Sequence, residues 1–268
     1  MFEPLNNGHA ISEVSFFFEF AEIEDSDIKS MLSVYPSVRH LLPANRPASG
    51  MIFSATPDGG FSMSQAAGAE WLHFKEDGNP DWIARITGNA VSVHCTVYEG
   101  WAATWERAFY ILARIFEGIL NPRPILNIGL RYVDQFDYKG NVDNYRALDL
   151  FRADTPHIAR RVMEGGPRWH NYTGWFTPSE VLRRDTLQQL NIDAILHADK
   201  KFPIVTISHA TLLRASGPGE LDKFVDFSHI NESWLGRFMN IAHENNHLLL
   251  QELLTDDILK GIGLFKGE

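Results

Sequence analysis

The sequence predicts an α+β protein made of two antiparallel-sheet halves, each packed against a long helix. Three observations lead there. Short apolar runs alternate with period two between turn signals, two long stretches carry apolar residues at helical spacing, and each helical stretch follows a series of strands. Short connections between the strands favour antiparallel meanders, because parallel pairs need long crossovers.

The first strand is expected over residues 11–20, with Val14, Phe16, Phe18 and Phe20 on one face and Glu13, Ser15, Phe17 and Glu19 on the other. Glu13 and Glu19 lie about 20 Å apart along an extended strand, too far for an acid–base pair. Asp25 or Ser26 can cap a short helix through Val34 that Pro36 helps to end. Residues 42–50 read as a loop. Strands follow near 51–55, 60–65, 70–75, 82–87 and 90–98, separated by Pro57–Gly60, Gly68, Asp77–Pro80 and Gly88–Asn89. Trp101, Trp105, Phe109, Leu112, Phe116 and Ile119 form the apolar stripe of a helix over 102–119, with Gly118, Asn121 and Pro122 as its stop. A strand over 125–136 closes the first half, residues 1–140.

The second half, 141–268, repeats the plan less clearly. Residues 148–162 read as a helix interrupted by Pro156, 164–167 as a turn, and 169–176 as the start of a strand. Strands are expected over 186–197, 202–214 and 223–227. A last helix over 232–254 turns Trp234, Phe238, Ile241, Leu248 and Leu249 inward. Trp105, Arg107 and Phe109 at one strand-to-helix junction resemble Trp234, Arg237 and Phe238 at the other, a weak internal similarity that points to duplication.

The chain has 268 residues, 44% of them apolar, including 18 phenylalanines and seven tryptophans, which marks it as ordered and globular. One cysteine, Cys95, excludes an internal disulfide, and its place among Val91, Val93 and Val97 suits a buried thiol better than a nucleophile. No apolar run reaches the length of a membrane span and the N-terminus has no secretory pattern, so a cytoplasmic, non-membrane protein is expected. A net charge of −10 disfavours nucleic acid, with Arg160, Arg161, Arg168, Arg183 and Arg184 as the local exceptions.

Chemistry concentrates in two places. The strand around Leu126–Phe136 carries Arg131 within an apolar run, and an arginine there must be paired or must look into a groove. Such a groove would bind a small carboxylate or phosphate, making Arg131, Tyr132 and Asp134 the candidate ligand-binding residues. Arg131 and Asp137 share a strand face and Asp134 lies on the other. The last helix carries His243-Glu244-Asn245-Asn246-His247, which matches the five-residue pattern of zinc proteases: histidines one turn apart with a glutamate after the first. His243, Glu244 and His247 are the candidate metal residues, with Asp226, His229 or Glu252 as a third ligand. Ser208 and His209 face opposite ways on one strand, which disfavours a nucleophile–base pair. Trp169, Tyr172 and Trp175 suit either ligand stacking or an aromatic-packed turn. Gly59-Gly60 and Gly165-Gly166 are too sparse for a phosphate loop.

Pro4-Leu5, Ile11-Ser-Glu13-Val14, Tyr98, Trp105 and above all Ile128-Gly-Leu-Arg131-Tyr132-Val-Asp134 resemble a sporadically distributed bacterial protein family with a central glycine-leucine-arginine-tyrosine strand. Asp134 departs from the asparagine or neighbouring polar residue common there. The resemblance spans nearly the whole chain and implies neither an activity nor catalytic residues. Two sheet–helix halves, the lack of a convincing reaction constellation and a groove around Arg131 make the expected function noncatalytic: binding of a small anionic ligand or a protein, with no cofactor. A zinc-dependent hydrolase and a nucleic-acid-associated defence protein are the alternatives.

Overall fold

The computed structural model describes residues 1–21, 23–48, 50–55, 61–66, 68–119, 123–196 and 202–264, without the side chains of 25, 50–55 and 61–66. The expected turn Pro57–Gly60, including Gly59-Gly60, and the helix stop at Asn121 and Pro122 lie outside the described residues, as does position 197 of the expected strand 186–197.

The chain is α+β, and all strand pairs with a defined register are antiparallel. It divides into two compact units made of separate segments. One consists of Ser15–Gly129 and Arg214–Arg237, the other of Met1–Val14, Leu130–Leu213 and Phe238–Glu268. Residue 140, the boundary expected from sequence, falls within Leu130–Leu213. Strand β2 (Ile11–Phe20) changes unit after Val14, and β9 (Ile125–Tyr138) after Gly129.

The first of these, the α3 unit, takes its name from helix α3 (Trp101–Glu117). Its sheet order is β2, β8 (Ala90–Cys95), β7 (Pro80–Thr87), β6 (Gly68–Phe74) and β3 (Ala44–Pro47). Strand β3 lies where the sequence suggested only loop. Tyr35 at its approach donates to Pro43 O at 2.8 Å, and Arg46 binds Glu70 of β6 at 2.6 Å, so ion pairing fixes a segment without strand periodicity. A separate hairpin joins β4 (Gly50–Ala55) to β5 (Phe61–Ala66). Helix α1 (Asp25–Ser33) follows Glu24 as its cap, and Pro36 opens helix α2 (Tyr35–Val38) instead of ending α1. Proline fits there because the first turn of a helix has no partner for its missing N–H. Under α3 the core is aromatic: Phe16 stacks on Trp105 at 5.3 Å, and Phe18 meets Phe116 edge-on at 4.8 Å. Phe227 joins this cluster, 5.1 Å from Phe116. The strand expected over 223–227 is a 3₁₀ turn (Asp222–Phe224) and a loop instead. Phe224 stacks on Trp234 at 4.0 Å, and ring packing outweighs β propensity.

In the α5 unit the order is β9, β12 (Pro203–Arg214), β11 (Arg184–Leu196) and β10 (Trp169–Ser179), with β1 (Phe2–Pro4) beside the end of β9. Each unit thus follows one plan: a strand, a three-strand meander whose last member returns beside it, then a long helix. Helix α5 (Trp234–Leu253) begins in the α3 unit and enters this one at Phe238. Phe238, Met239, Ala242, Asn246, Leu249, Leu250 and Leu253 are buried, whereas Leu248, expected inward, is 48% exposed. Helix α6 (Asp256–Gly261) follows. The helix expected over 148–162 is reduced to a 3₁₀ turn at Ala147–Asp149 and helix α4 (Arg160–Met163). Pro156 cannot donate within a helix, and Leu150, Phe151 and Ile158 reach the core from irregular segments, Val162 from α4.

Candidate functional site

The central-strand motif resolves into packing partners. Gly129 is required because the Phe17 ring lies against it: a Cβ there would stand 2.1 Å from Phe17 Cζ. Arg131 donates to Glu13 at 2.9 Å on the opposite strand face from Tyr132 and Asp134, so the three expected ligand-binding residues do not converge. Half-exposed side chains on both sides make this a surface cross-strand ion pair.

Tyr132 and Asp134 share the face covered by α5. The Tyr132 hydroxyl lies 2.8 Å from His243 Nδ1, and the rings of His243 and His247 are 4.2 Å apart. Strand face and helix pattern, read separately from the sequence, therefore meet in one cluster. Glu244 is exposed, as the 100° step from His243 dictates. Of the suggested third ligands, Glu252 binds His157 at 2.8 Å, while Asp226 caps Ser228 at 2.8 Å. His229 lies 2.9 Å from the same Ser228 hydroxyl. Among the described residues no group of three His, Cys, Asp or Glu side chains is placed to hold a metal ion.

Burial dominates the titration of this interior. Asp134 is almost fully buried, its Oδ2 has no partner, and desolvation lifts its pKa to about 7. Desolvation, then the neighbouring His247, depresses His243 to about 4. His209 is likewise pushed down to about 4 by burial. Its Nε2 lies 3.0 Å from Gln188 Oε1, and its Nδ1 3.1 Å from Asn246 Oδ1. The Thr186 hydroxyl donates to Thr177 O and accepts from Gln188 Nε2, so Gln188 must offer its oxygen to His209 and Thr211. A neutral His209 is then protonated at Nε2, and the Asn246 amide turns its nitrogen toward Nδ1. Ser208 faces away, in keeping with strand alternation. Trp169 and Trp175 point inward, to the Tyr145 hydroxyl at 3.2 Å and the His157 ring at 4.8 Å, whereas Tyr172 is 60% exposed.

The α3 unit holds a cavity of about 210 Å³ lined by Asp81, Trp82, Val97, Glu99, Ala103, Thr104 and Arg107. Arg107 projects from α3 over the Trp82 ring, 4.7 Å from its centroid, and donates to Leu41 O at 2.8 Å. Its Nε is buried without a partner, and burial lowers the guanidinium pKa despite Asp81 and Glu99 nearby. Asp81 is held by His73 Nδ1 at 2.6 Å. Cys95 lies behind this site, buried, its thiol donating to Val97 O at 3.1 Å and its pKa raised to about 11 by desolvation. Sequence reasoning missed the cavity. Arg107 stood out only in the internal similarity, and nothing local ties it to Asp81 or Trp82. The exposed Arg160, Arg161 and Arg168 stand apart from both sites, with Arg160 bound to Glu164 at 3.0 Å. No helix among the described residues is long and apolar enough to cross a membrane.

Neither a protein-family model nor a curated protein sequence matches the chain.

Proposed function

We propose that the protein binds a small carboxylate-bearing ligand, without transforming it, in the cavity beside Arg107. The observation that carries this reading is a half-buried guanidinium on the lining of a cavity, with no carboxylate bridged directly to it among the described residues. A planar carboxylate satisfies such a group through paired hydrogen bonds, and the Trp82 face holds the guanidinium in place. Asp81 and Glu99 on the same lining oppose a plain anion and favour a ligand that also carries an ammonium group. A small zwitterion of amino-acid size meets both demands within about 210 Å³. The test is calorimetric titration of the full chain with α-amino acids, the matching amines and the matching acids. Zwitterions are expected to bind best, and Arg107→Met to remove the heat while leaving the circular dichroism unchanged. A folded protein that binds none of the series ends this reading.

A second reading, a zinc-dependent hydrolase at His243, Glu244 and His247, rests on the proximity of the His243 and His247 rings, 4.2 Å between centroids, with no third metal-binding side chain beside them among the described residues. Zinc retained at one equivalent, and lost on His247→Ala, would support it. We also propose that the Ile128–Asp134 strand relates the chain to the sporadically distributed bacterial family that it resembles, a relation that implies no activity.

A further inference from the structure

Strand β10 ends its sheet. It is 11 residues long, pairs with β11, and none of its backbone groups bonds to any other backbone among the described residues. The loop at His157–Ala159 bonds to the side chain of Asn171, on the helix-facing side, and to no backbone group of the strand among the described residues. Pro178 stands opposite Asp185 within the ladder. A proline is tolerated there when its nitrogen faces away from the paired strand. Alternation by two then turns the N–H groups of His170, Tyr172, Gly174 and Phe176 to the open edge.

Edge strands usually resist pairing through lysines, prolines, inward charges or shortness, and β10 carries one of these guards, Pro178, near its end. Residues 169–179 contain no Lys, Arg, Asp or Glu, and Tyr172 and Phe176 are 60% and 63% exposed. In a chain of net charge −10, copies repel over most of the surface, and this uncharged strand is a place where they can approach. The strand is also complementary to itself. Antiparallel pairing of two copies about Gly174 sets Tyr172 opposite Phe176 of the partner, and the ladder ends where His170 meets Pro178, which has no N–H to donate. It also sets Arg168 of one protomer opposite Glu180 of the other, at both ends of the contact. Both side chains are exposed, and neither forms an ion pair among the described residues.

We propose that two copies of this chain associate through β10, antiparallel and centred on Gly174, to form one continuous sheet across a two-fold axis. Such an isologous contact closes on itself and gives dimers, not fibres. The aromatic cross-strand pairs and the terminal ion pairs fix the register, and the backbone ladder supplies the affinity.

The test is light scattering of the full chain over a dilution series, with circular dichroism to verify folding. The protein is expected to dimerise. Tyr172→Lys combined with Phe176→Lys should give a folded monomer, because both side chains are mostly exposed and their replacement leaves the core alone. Arg168→Glu alone and Glu180→Arg alone should each weaken the dimer about tenfold, since symmetry converts two attractive contacts to repulsive ones. The double reversal Arg168→Glu with Glu180→Arg should restore it. A wild-type monomer at every concentration overturns the proposal, as does a dimer that survives the two lysines or a double reversal that fails to rescue.

Discussion

The two units share a plan and differ in what it encloses. Beneath α3, the central-strand face carries Phe16, Phe18 and Phe20 against Trp105 and Phe116. Beneath α5, the corresponding strand offers Tyr132, Asp134 and Phe136, and the facing elements add His243, His209, Gln188 and Asn246. The outer edges differ too. In the α3 unit β3 covers β6 and brings Arg46 and Pro47, two ordinary guards of a sheet edge, while β10 of the α5 unit has no covering strand among the described residues and a single such guard, Pro178 near its end. One topology therefore tolerates both a dry aromatic filling and a wet, titratable one, provided buried polar groups find partners. Asp134 is the conspicuous failure of that proviso, with an unpartnered oxygen in the interior.

The contrast can be broken most forcefully in the dry unit. Phe18→Ala should cost about 4 kcal/mol, because a large cavity replaces a fully buried ring; urea unfolding measures it. In the wet unit His209→Leu should cost about 2 kcal/mol, since Gln188 and Asn246 lose a buried partner while apolar volume is kept. The same histidine gives the unit an acid sensitivity. With a folded pKa of about 4 against an ordinary 6.5, the unfolded chain binds more protons between those values. Stability is therefore intact above about pH 6.5 and declines as pH falls toward 4, a slope that His209→Leu should reduce.

Asp134 acts in the opposite sense. Its folded pKa of about 7 exceeds the ordinary aspartate value of 3.8, so the folded state holds the extra proton and stability falls as pH rises through that window. Asp134→Asn should consequently stabilise the protein by roughly 2 kcal/mol at pH 8 and by almost nothing below pH 4, read from unfolding curves at the two pH values. A variant that destabilises at pH 8 would show that the carboxylate has a partner in solution. The smallest effect belongs to Tyr132→Phe, about 1 kcal/mol for the loss of the hydroxyl contact with His243. If it exceeded the cost of Phe18→Ala, the wet interior would carry more of the stability than the dry one.

Much of the fold was legible because it rests on local periodicity. Strand β2 has the limits expected from alternation, and α3 and α5 lie within a few residues of their apolar stripes. The errors share a cause. At β3, at 148–162 and at 223–227, the conformation is set by partners distant in sequence: Glu70 for Arg46, the core for Leu150 and Phe151, and Trp234 for Phe224. The site residues divide the same way. His243 and His247 were visible as a helical pair, and Tyr132 as a strand residue, but their meeting required the fold. The cavity beside Arg107 left no local trace, although Arg107 itself was visible in the internal similarity.

The sequence by itself determined an α+β chain with two meander-and-helix units, a buried inert thiol and the opposite facing of Arg131 relative to Tyr132 and Asp134, since periods of 2.0 and 3.6 are properties of neighbouring residues. Tertiary structure alone decided that Arg131 pairs with Glu13, that Asp134 is buried without a partner for one oxygen, and that Arg107 looks into a cavity. Desolvation and hydrogen bonding depend on what the rest of the chain places nearby, and no local pattern encodes that neighbourhood.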